Sequence, residues 1–326
     1  MKIVESSDWS AYKSIWEKCM QDYYWYKKVR VFDFNREEEL DEMAADFGKP
    51  GRVFLEAHLN EDIIGLFGLR FRGKEASLRR WEPALLREQR DNTFEQSLLT
   101  HGLKLLSDKG VERAKVIIKY PVGDMNAAGH LLRLYQDNGF TKYQPDGVDL
   151  VADLSKMNTN PRVSAAITLD SNQNTIPENI GEYCVRAYAS TPEDREIHGY
   201  DNSVSDYDTA VEVFRSIIGG SFGRSPSEFW KVSLVDGKPA GFIGGFIHES
   251  KYHPITGVLG PIGVFPEYRR LGIGLFLLSE IFKSMKNHGC EYTAVGTPAA
   301  NKNAIAMYQK AGYKLSSHLI HLEKVL

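Results

Sequence analysis

Cysteine is scarce: the chain has three, Cys19, Cys184 and Cys290, in 326 residues. An odd number with no CxxC spacing argues against a disulfide framework, a zinc ribbon or a dithiol redox centre. No metal site is expected. Long apolar runs are missing too. The longest, Ile273 to Leu278, stops at Ser279 and Glu280, far short of the roughly 20 residues that span a bilayer. Nor is charge of one sign in excess. Forty Lys and Arg stand against 43 Asp and Glu, a net charge of -3, so no strong field favours nucleic acid or an anionic membrane. The opening MKIVESSDWSAYKSIWEKCM has neither the apolar core nor the small-residue cleavage site of a secretory signal. With unpaired thiols, this leads to the expectation of a cytoplasmic protein. What the chain does have, 42% hydrophobic and 25% charged residues, is ordinary globular material for about two domains.

An internal repeat sets the organisation. Leu277-Leu278 and Gly289 stand 179 positions after Leu98-Leu99 and Gly110, so two similar helices each end at a glycine. Strand-like segments follow, Ala114 to Lys119 and Tyr292 to Gly296. Next come near-copies: YQDNGF at Tyr135 to Phe140 and YQKAGY at Tyr308 to Tyr313, now 173 positions apart. Upstream, Val53 to Phe71 and Val232 to Ile247 both read as hairpins, with Gly65 matching Gly241 and the dipeptide Asp236-Gly237 turning the second. Each half thus reads as a strand, one or two helices, a hairpin, a strand, a long helix, a strand, a helix and final strands. Tyr183 to Ala189 opens the second copy, Glu212 to Ile218 is helical, and Arg162 to Asp170 offers an extra strand. The expected domains are 1–155 and 182–326, joined by a polar linker over 156–181.

The chemistry-bearing segment is VLGPIGVFPEYRRLGIGLFLL, Val258 to Leu278. A short apolar strand runs into Pro266, a basic pair Arg269-Arg270 precedes Gly272 and Gly274, and an apolar helix begins at once. Such a strand–loop–helix unit gathers unpaired N–H groups at the positive end of a helix dipole, which suits a pyrophosphate. The glycines remove Cβ atoms from the approach. The segment is neither a GxGxxG dinucleotide fingerprint nor a P-loop, because no Lys-Ser/Thr follows.

Val264, Pro266, Tyr268, Arg269, Gly272 and Gly274 together form V-x-P-x-Y-R-x-x-G-x-G, which resembles the acetyl-CoA motif of the GNAT N-acetyltransferases. Downstream, Asn303, Ala304, Tyr308, Gly312 and Tyr313 resemble that family's second block, N-x-x-A-x-x-x-Y-x-x-x-G-[FY]. The hairpin Asp236 to Ile243 is similar to the family's central hairpin. The resemblance covers about 182–326 and extends to 1–155 through the repeat. It implies an α/β (α+β) fold of two tandem GNAT-like domains, each a mixed, mostly antiparallel twisted sheet flanked by helices, with strands that splay around the pantetheine arm. The cosubstrate it implies is acetyl-CoA. Its implied contacts are Ile262, Gly263 and Val264 for the arm, Arg269, Arg270, Leu271, Gly272, Ile273 and Gly274 for the pyrophosphate, and Asn303 as a helix cap or a cofactor contact.

Acyl transfer to an amine needs a polarised carbonyl, a neutral amine and a protonated leaving thiolate. The resemblance gives the first to a strand amide near Val264 and the third to Tyr308, whose phenol is a feasible donor to a thiolate. The same position also suits a packed helix aromatic. No base is assigned. Glu267, His248, Glu249 and His253 are candidates, and each is also readable as a surface group. Asp194, Glu196, Asp201, Asp206 and Asp208, interleaved with Tyr200 and Tyr207, suit a small cationic amine or form a solvated acidic loop. Tyr23, Tyr24, Trp25 and Tyr26 read as packing. In the first half, the offset of 179 sets Arg90 under Arg269, Thr93 under Gly272 and Glu95 under Gly274. That half is expected to keep the fold and lose the cofactor. The alternatives are a non-catalytic acyl-CoA-binding module and a peptide or protein acetyltransferase.

Overall fold

Asp8 caps the first helix, accepting from the N–H groups of Ser10 at 2.8 Å and Ala11 at 3.3 Å. The helix then buries Tyr12, Ile15, Trp16, Cys19 and Met20, a spacing that places them on one face. The structure is a computed structural model describing residues 1–21, 35–90, 92–123, 126–157, 161, 166–170 and 175–326. Tyr23 to Tyr26, read above as packing, lie outside the described residues. The chain divides into two compact units, Met1–Asp146 with Ser317–Leu326, and Gly147–Ser316.

The first unit runs β1 (Lys2–Glu5), α1 (Trp9–Met20), α2 (Arg36–Asp46), β2 (Arg52–Leu59), β3 (Asp62–Arg72), β4 (Glu75–Leu78), β5 (Ala84–Leu85), α3 (Asn92–Asp108), β6 (Arg113–Pro121), α4 (Asn126–Asp137) and β7 (Thr141–Lys142). The second runs β8 (Gly147–Asp153), β9 (Ile167–Leu169), α5 (Thr175–Tyr188), α6 (Pro192–His198), α7 (Asn202–Ser205), α8 (Tyr207–Ile218), β10 (Lys231–Val235), β11 (Lys238–Ser250), β12 (His253–Val264), α9 (Ile273–Asn287), β13 (Tyr292–Pro298) and α10 (Lys302–Ala311). The last strand, β14 (Lys314–Val325), leaves the second unit and returns to the first.

Both sheets follow one plan. In the first the order is β1-β2-β3-β4-β6-β14, and in the second it is β9-β10-β11-β12-β13-β8. Neighbours are antiparallel except for one short parallel pairing in each. Glu75 to Ser77 pair with Arg113 to Lys115, and Thr256 to Val258 pair with Tyr292 to Ala294. Beyond those three residues the parallel strands part. The sixth strand of each sheet comes from the other half of the sequence: β14 pairs β6 from Ser317 to Val325, and β8 pairs β13 from Gly147 to Asp153. The units therefore break at 146/147 and 316/317, not at the expected 155 and 182. The final strands are exchanged, and strand alternation alone does not say which sheet a strand joins.

The repeated glycines do what the repeat required. Gly139 and Gly312 adopt φ of 83° and 110°. Just beyond them, the N–H of Phe140 reaches the Tyr135 carbonyl at 3.1 Å and that of Tyr313 the Tyr308 carbonyl at 3.0 Å, closing each helix with the same six-to-one bond. Asp236 and Gly237, at φ 49° and 74°, form the two-residue hairpin turn. One expectation is reversed. Tyr183 to Ala189 is not the opening strand but lies largely within α5, because Ile180, Tyr183, Cys184 and Ala187 are buried at helical spacing. The opening strand is β9, inside the segment taken as linker. Each unit has its own core, built around Leu66, Phe67, Leu98 and Leu131 in one and Phe242, Leu277 and Phe282 in the other.

Candidate functional site

Beyond Val258, β12 stays with β11 as far as Val264 while β13 stays with β8 as far as Pro298, so a cleft opens between them. The β11–β12 register slips by one residue at Gly260-Pro261: Ile262 faces Ile243, but Leu259 faces Gly245. The Phe265 N–H bonds the Ala240 carbonyl at 3.0 Å. With alternate pairs exchanging ladder bonds, Gly263 bonds Phe242, and Ile262 and Val264 turn their backbone groups away from β11. Two of those groups are engaged. The Tyr188 hydroxyl donates to the Ile262 carbonyl at 2.8 Å, and the Arg269 Nε donates to the Val264 carbonyl at 3.2 Å. The N–H groups of Ile262 and Val264 remain as donors toward the cleft.

At the end of β12 the chain makes a turn at Pro266–Tyr268 and passes through Arg270 and Gly272, both at positive φ, 68° and 87°. α9 starts at Ile273 with no side-chain cap. Its first amides have no intrahelical acceptor, a ready site for anionic oxygens. Gly272 is there because its left-handed conformation disfavours any Cβ. At Gly274 a Cβ would meet the Met307 sulfur, which would have to shift. Arg269 points elsewhere. Its Nη2 donates to the Ala187 carbonyl at 2.9 Å and to Asp194 at 3.0 Å, so its guanidinium fastens the loop to α5 and α6.

Tyr308, on α10, is 3% exposed and meets Tyr313 edge-on with ring centroids 5.6 Å apart. Burial alone pushes its phenol above the usual tyrosine range. Tyr313 is tied to Thr293 of β13 at 2.8 Å. The cap of α10 is Asn301, whose side chain accepts the Ala304 N–H at 3.1 Å. Asn303 is exposed and does not cap. Asn301 also meets His198 Nε2 at 3.2 Å, and the His198 ring packs on Tyr188. Burial pushes the His198 imidazole below its ordinary value against the opposing pull of Asp194 and Asp201, with Arg269 adding to the lowering. The sequence reading did not single out Tyr188 or His198, and it set the asparagine of the second block at Asn303, whereas the N-x-x-A-x-x-x-Y spacing falls on Asn301, the residue that caps α10. The helical spacing of α5 is the signal that brings Tyr188 to this cleft.

The acidic segment mostly serves structure. Asp194 is buried against Arg269 and Thr191. Asp201 and Asp206 cap α7 and α8. Glu196, Asp208, Tyr200 and Tyr207 are exposed. Glu267 pairs with Arg186, and Glu249 with Arg224 at 2.9 Å. His253 begins β12 and His248 lies across from Thr256. Both sit toward the far end of the strand from Val264, about 36 Å away for His253 and about 26 Å for His248 at ~3.3 Å per residue.

The first unit repeats this framework atom for atom at one point. Arg90 Nε donates to the Leu85 carbonyl at 3.2 Å and its Nη2 to the Cys19 carbonyl at 2.8 Å, while the Leu86 N–H bonds Ile64 at 2.8 Å. These are the counterparts of Arg269, Val264, Ala187, Phe265 and Ala240. The offset of 179 therefore holds through the loop, and Thr93 and Glu95 stand where Gly272 and Gly274 do. Glu95 is fully buried and bonded to His130, the residue 173 positions before Asn303. The Tyr135 hydroxyl donates to the Glu82 carbonyl, leaving it a packing residue.

The acetyltransferase (GNAT) family profile matches residues 192–313. No curated protein matches the chain. Among solved structures, the chain is similar to a GCN5-related N-acetyltransferase from Sphaerobacter thermophilus, with 16% identity, TM-score 0.63, and 99% of this chain and 95% of that one covered. It is similar also to a tandem GNAT protein from the clavulanic acid biosynthesis pathway, with 13% identity, TM-score 0.54, and 99% and 98% covered. A third likeness is to the GCN5-related glucosamine N-acetyltransferase region of a fungal multi-domain GH3 β-N-acetylglucosaminidase, with 12% identity, TM-score 0.59, and 98% and 38% covered. The family's sequence signature thus covers residues 192–313, and over its whole length the chain has the fold of these GNAT structures.

Proposed function

We propose that the second unit is an acetyl-CoA-dependent N-acetyltransferase acting on a primary amine, in a cytoplasmic setting that suits three free, buried cysteines. The observation that carries the reading is the conjunction of an open β12–β13 cleft with an uncapped helix N-terminus reached through Gly272. Acetyl-CoA supplies an activated thioester when bound. The Ile262 and Val264 amides hold the arm as a strand would, and the amides of Gly272 to Gly274 hold the pyrophosphate with Arg270 nearby. The Val264 N–H is the donor best placed on β12 for a developing oxyanion. Tyr308 holds a proton at the buried end of α10. The exposed Glu196 and Asp208, beside Tyr200 and Tyr207, suit a small cationic acceptor.

One observation favours a second reading, a non-catalytic acyl-CoA-binding module. Burial makes the Tyr308 proton harder to release, although the same burial raises the affinity of a nascent thiolate for it. Thiol release from acetyl-CoA with a panel of amines separates the two. Turnover is expected, falling roughly 10²-fold in Tyr308→Phe with little change in acetyl-CoA affinity. Acetyl-CoA binding with no amine-dependent thiol release would leave the module reading standing.

A further inference from the structure

The first unit encloses a cavity of about 420 Å³ that acetyl transfer in the second does not use. All of its lining residues belong to the first unit. It lies where β4 and β6 part, with Leu78 on one side and Ile117 on the other, and the exposed Arg70 and Ile117 mark its mouth. Trp16, Phe54 and Trp81 give it aromatic walls.

Glu82 also lines it and is 1% exposed. Its Oε2 accepts the Gly68 N–H. Gly68 permits this approach, since a Cβ there would meet Arg79 Cδ at 2.6 Å and Glu82 Oε2 at 3.0 Å. The other oxygen, Oε1, is ion-paired with Arg79 Nε at 3.4 Å but has no hydrogen-bond donor among the described residues. Of the other acids lining the cavity, Glu39 holds both Arg79 and Arg80, and Asp46 holds Arg52 at 3.0 Å and Arg70 at 2.5 Å, while burial raises the Glu42 carboxyl, with Glu39 adding to the rise, and Lys119 stands on the β6 side. A buried acceptor without a donor is costly, and this one belongs to a cavity walled by indoles.

We infer that the cavity is a binding site for a small primary amine, its ammonium group on Glu82 and its apolar body against Trp16 and Trp81. Carboxylate contact and cation–π attraction both select a cation. Burial pushes the Glu82 carboxyl up to about 7, with Glu39 adding to the rise and Arg79 and the Gly68 N–H opposing it. The phenols of Tyr12 and Tyr135 and the thiol of Cys19 also sense it, and all three stay neutral because burial raises them. An arriving ammonium stabilises the carboxylate, so near neutral pH binding releases the Glu82 proton to solvent. The site stands independently of acetyl transfer in the second unit.

The test is ¹⁹F NMR of the full chain carrying 5-fluorotryptophan, with five tryptophans to resolve. Trp16→Phe and Trp81→Phe assign the two cavity signals, and Trp230 reports separately on the second unit. The probes are n-pentylamine, pentanol and pentanoate, each to roughly 10 mM, a range that detects even millimolar affinity. The amine is expected to shift the Trp16 and Trp81 signals saturably, with protons released at pH 7, and to bind at least tenfold more weakly to Glu82→Gln. That variant keeps an amide oxygen for the Gly68 N–H. Should it fail to fold, Glu82→Asp, which withdraws the carboxylate by one methylene, is expected to show the same loss. The inference is overturned if those two signals do not respond, if pentanol or pentanoate moves them equally, or if the folded variant binds as wild type.

Discussion

Arg269 and Arg90 make the same two kinds of bond in two units, and only one of them stands beside an open glycine turn. That recurrence ties the guanidinium to the loop's structure rather than to phosphate. Arg269→Ala should remove the bonds to Ala187 and Val264 and leave the buried Asp194 without its cation. A stability loss of about 2–4 kcal/mol is expected in chemical denaturation, with acetyl-CoA affinity of the folded variant changed less than tenfold. Unchanged stability with a large loss of affinity would return the side chain to the phosphate. Glu82 gives a second residue-scale expectation, this one in pH. Its carboxyl titrates near 4.5 when unfolded and near 7 in the fold, so between these values the native state holds more protons than the unfolded one. Stability then falls as pH rises from about 4.5 to about 7 and stays lowered above that. Glu82→Gln should match wild type at pH 4 and exceed it at pH 8 by roughly 1–3 kcal/mol in urea melts. A variant less stable than wild type at pH 8 would mean that the Arg79 attraction outweighs desolvation. Of the candidate site, the glycines, Val264 and Tyr308 were legible because their spacing is a pattern. His198 was not, because it matters only through contacts made across the fold; Asn301 was open to reading, since the N-x-x-A-x-x-x-Y spacing counted back from Tyr308 ends on it and not on Asn303.

At the scale of elements, periodicity served well where one face is buried and misled where the run is short and mixed. The hairpins, the long helices α3 and α9 and the glycine stops all lie where the repeat set them. Tyr183 to Ala189 stands where the repeat calls for an opening strand, yet Ile180 extends its apolar pattern backward at helical spacing into α5. The exchange of β8 and β14 left no mark in the sequence. Val148, Leu150 and Ala152 alternate inward as they would in either sheet. Its consequence is measurable. Val148 and Leu150 together bury roughly 3–6 kcal/mol of side chain, a large share of a domain's stability of about 5–15 kcal/mol. A chain of residues 147–326 should melt cooperatively, whereas residues 156–326, lacking only β8 and the turn after it, should not. Equal cooperative melts by circular dichroism would show that β13 does not depend on β8.

For the whole molecule, the two units share a plan and differ at one cleft, so the number of acetyl-CoA molecules bound per chain tests how the repeat has diverged. In the second unit Gly272 and Gly274 leave the start of α9 open. In the first, α3 begins at Asn92, two positions earlier than α9 by the offset of 179, so helix replaces the glycine turn. Glu95 then occupies the place of Gly274, buried and bonded to His130, which occupies the place of Asn303. Side chains thus fill the ground that the pyrophosphate would need, and one of them is a carboxylate. Two like unit charges 4 Å apart at an effective dielectric of about 20 repel by about 4 kcal/mol, enough to take a micromolar affinity to the millimolar range. Calorimetric titration should therefore give one site per chain. In Gly272→Glu, which puts bulk and negative charge at the start of α9 and strains a left-handed position, affinity should fall at least tenfold, about 1.4 kcal/mol, with no second site emerging. Two sites in the wild type, or undiminished binding in a folded Gly272→Glu, would place the cofactor in the first unit and make Glu95 and His130 part of its contact rather than its exclusion.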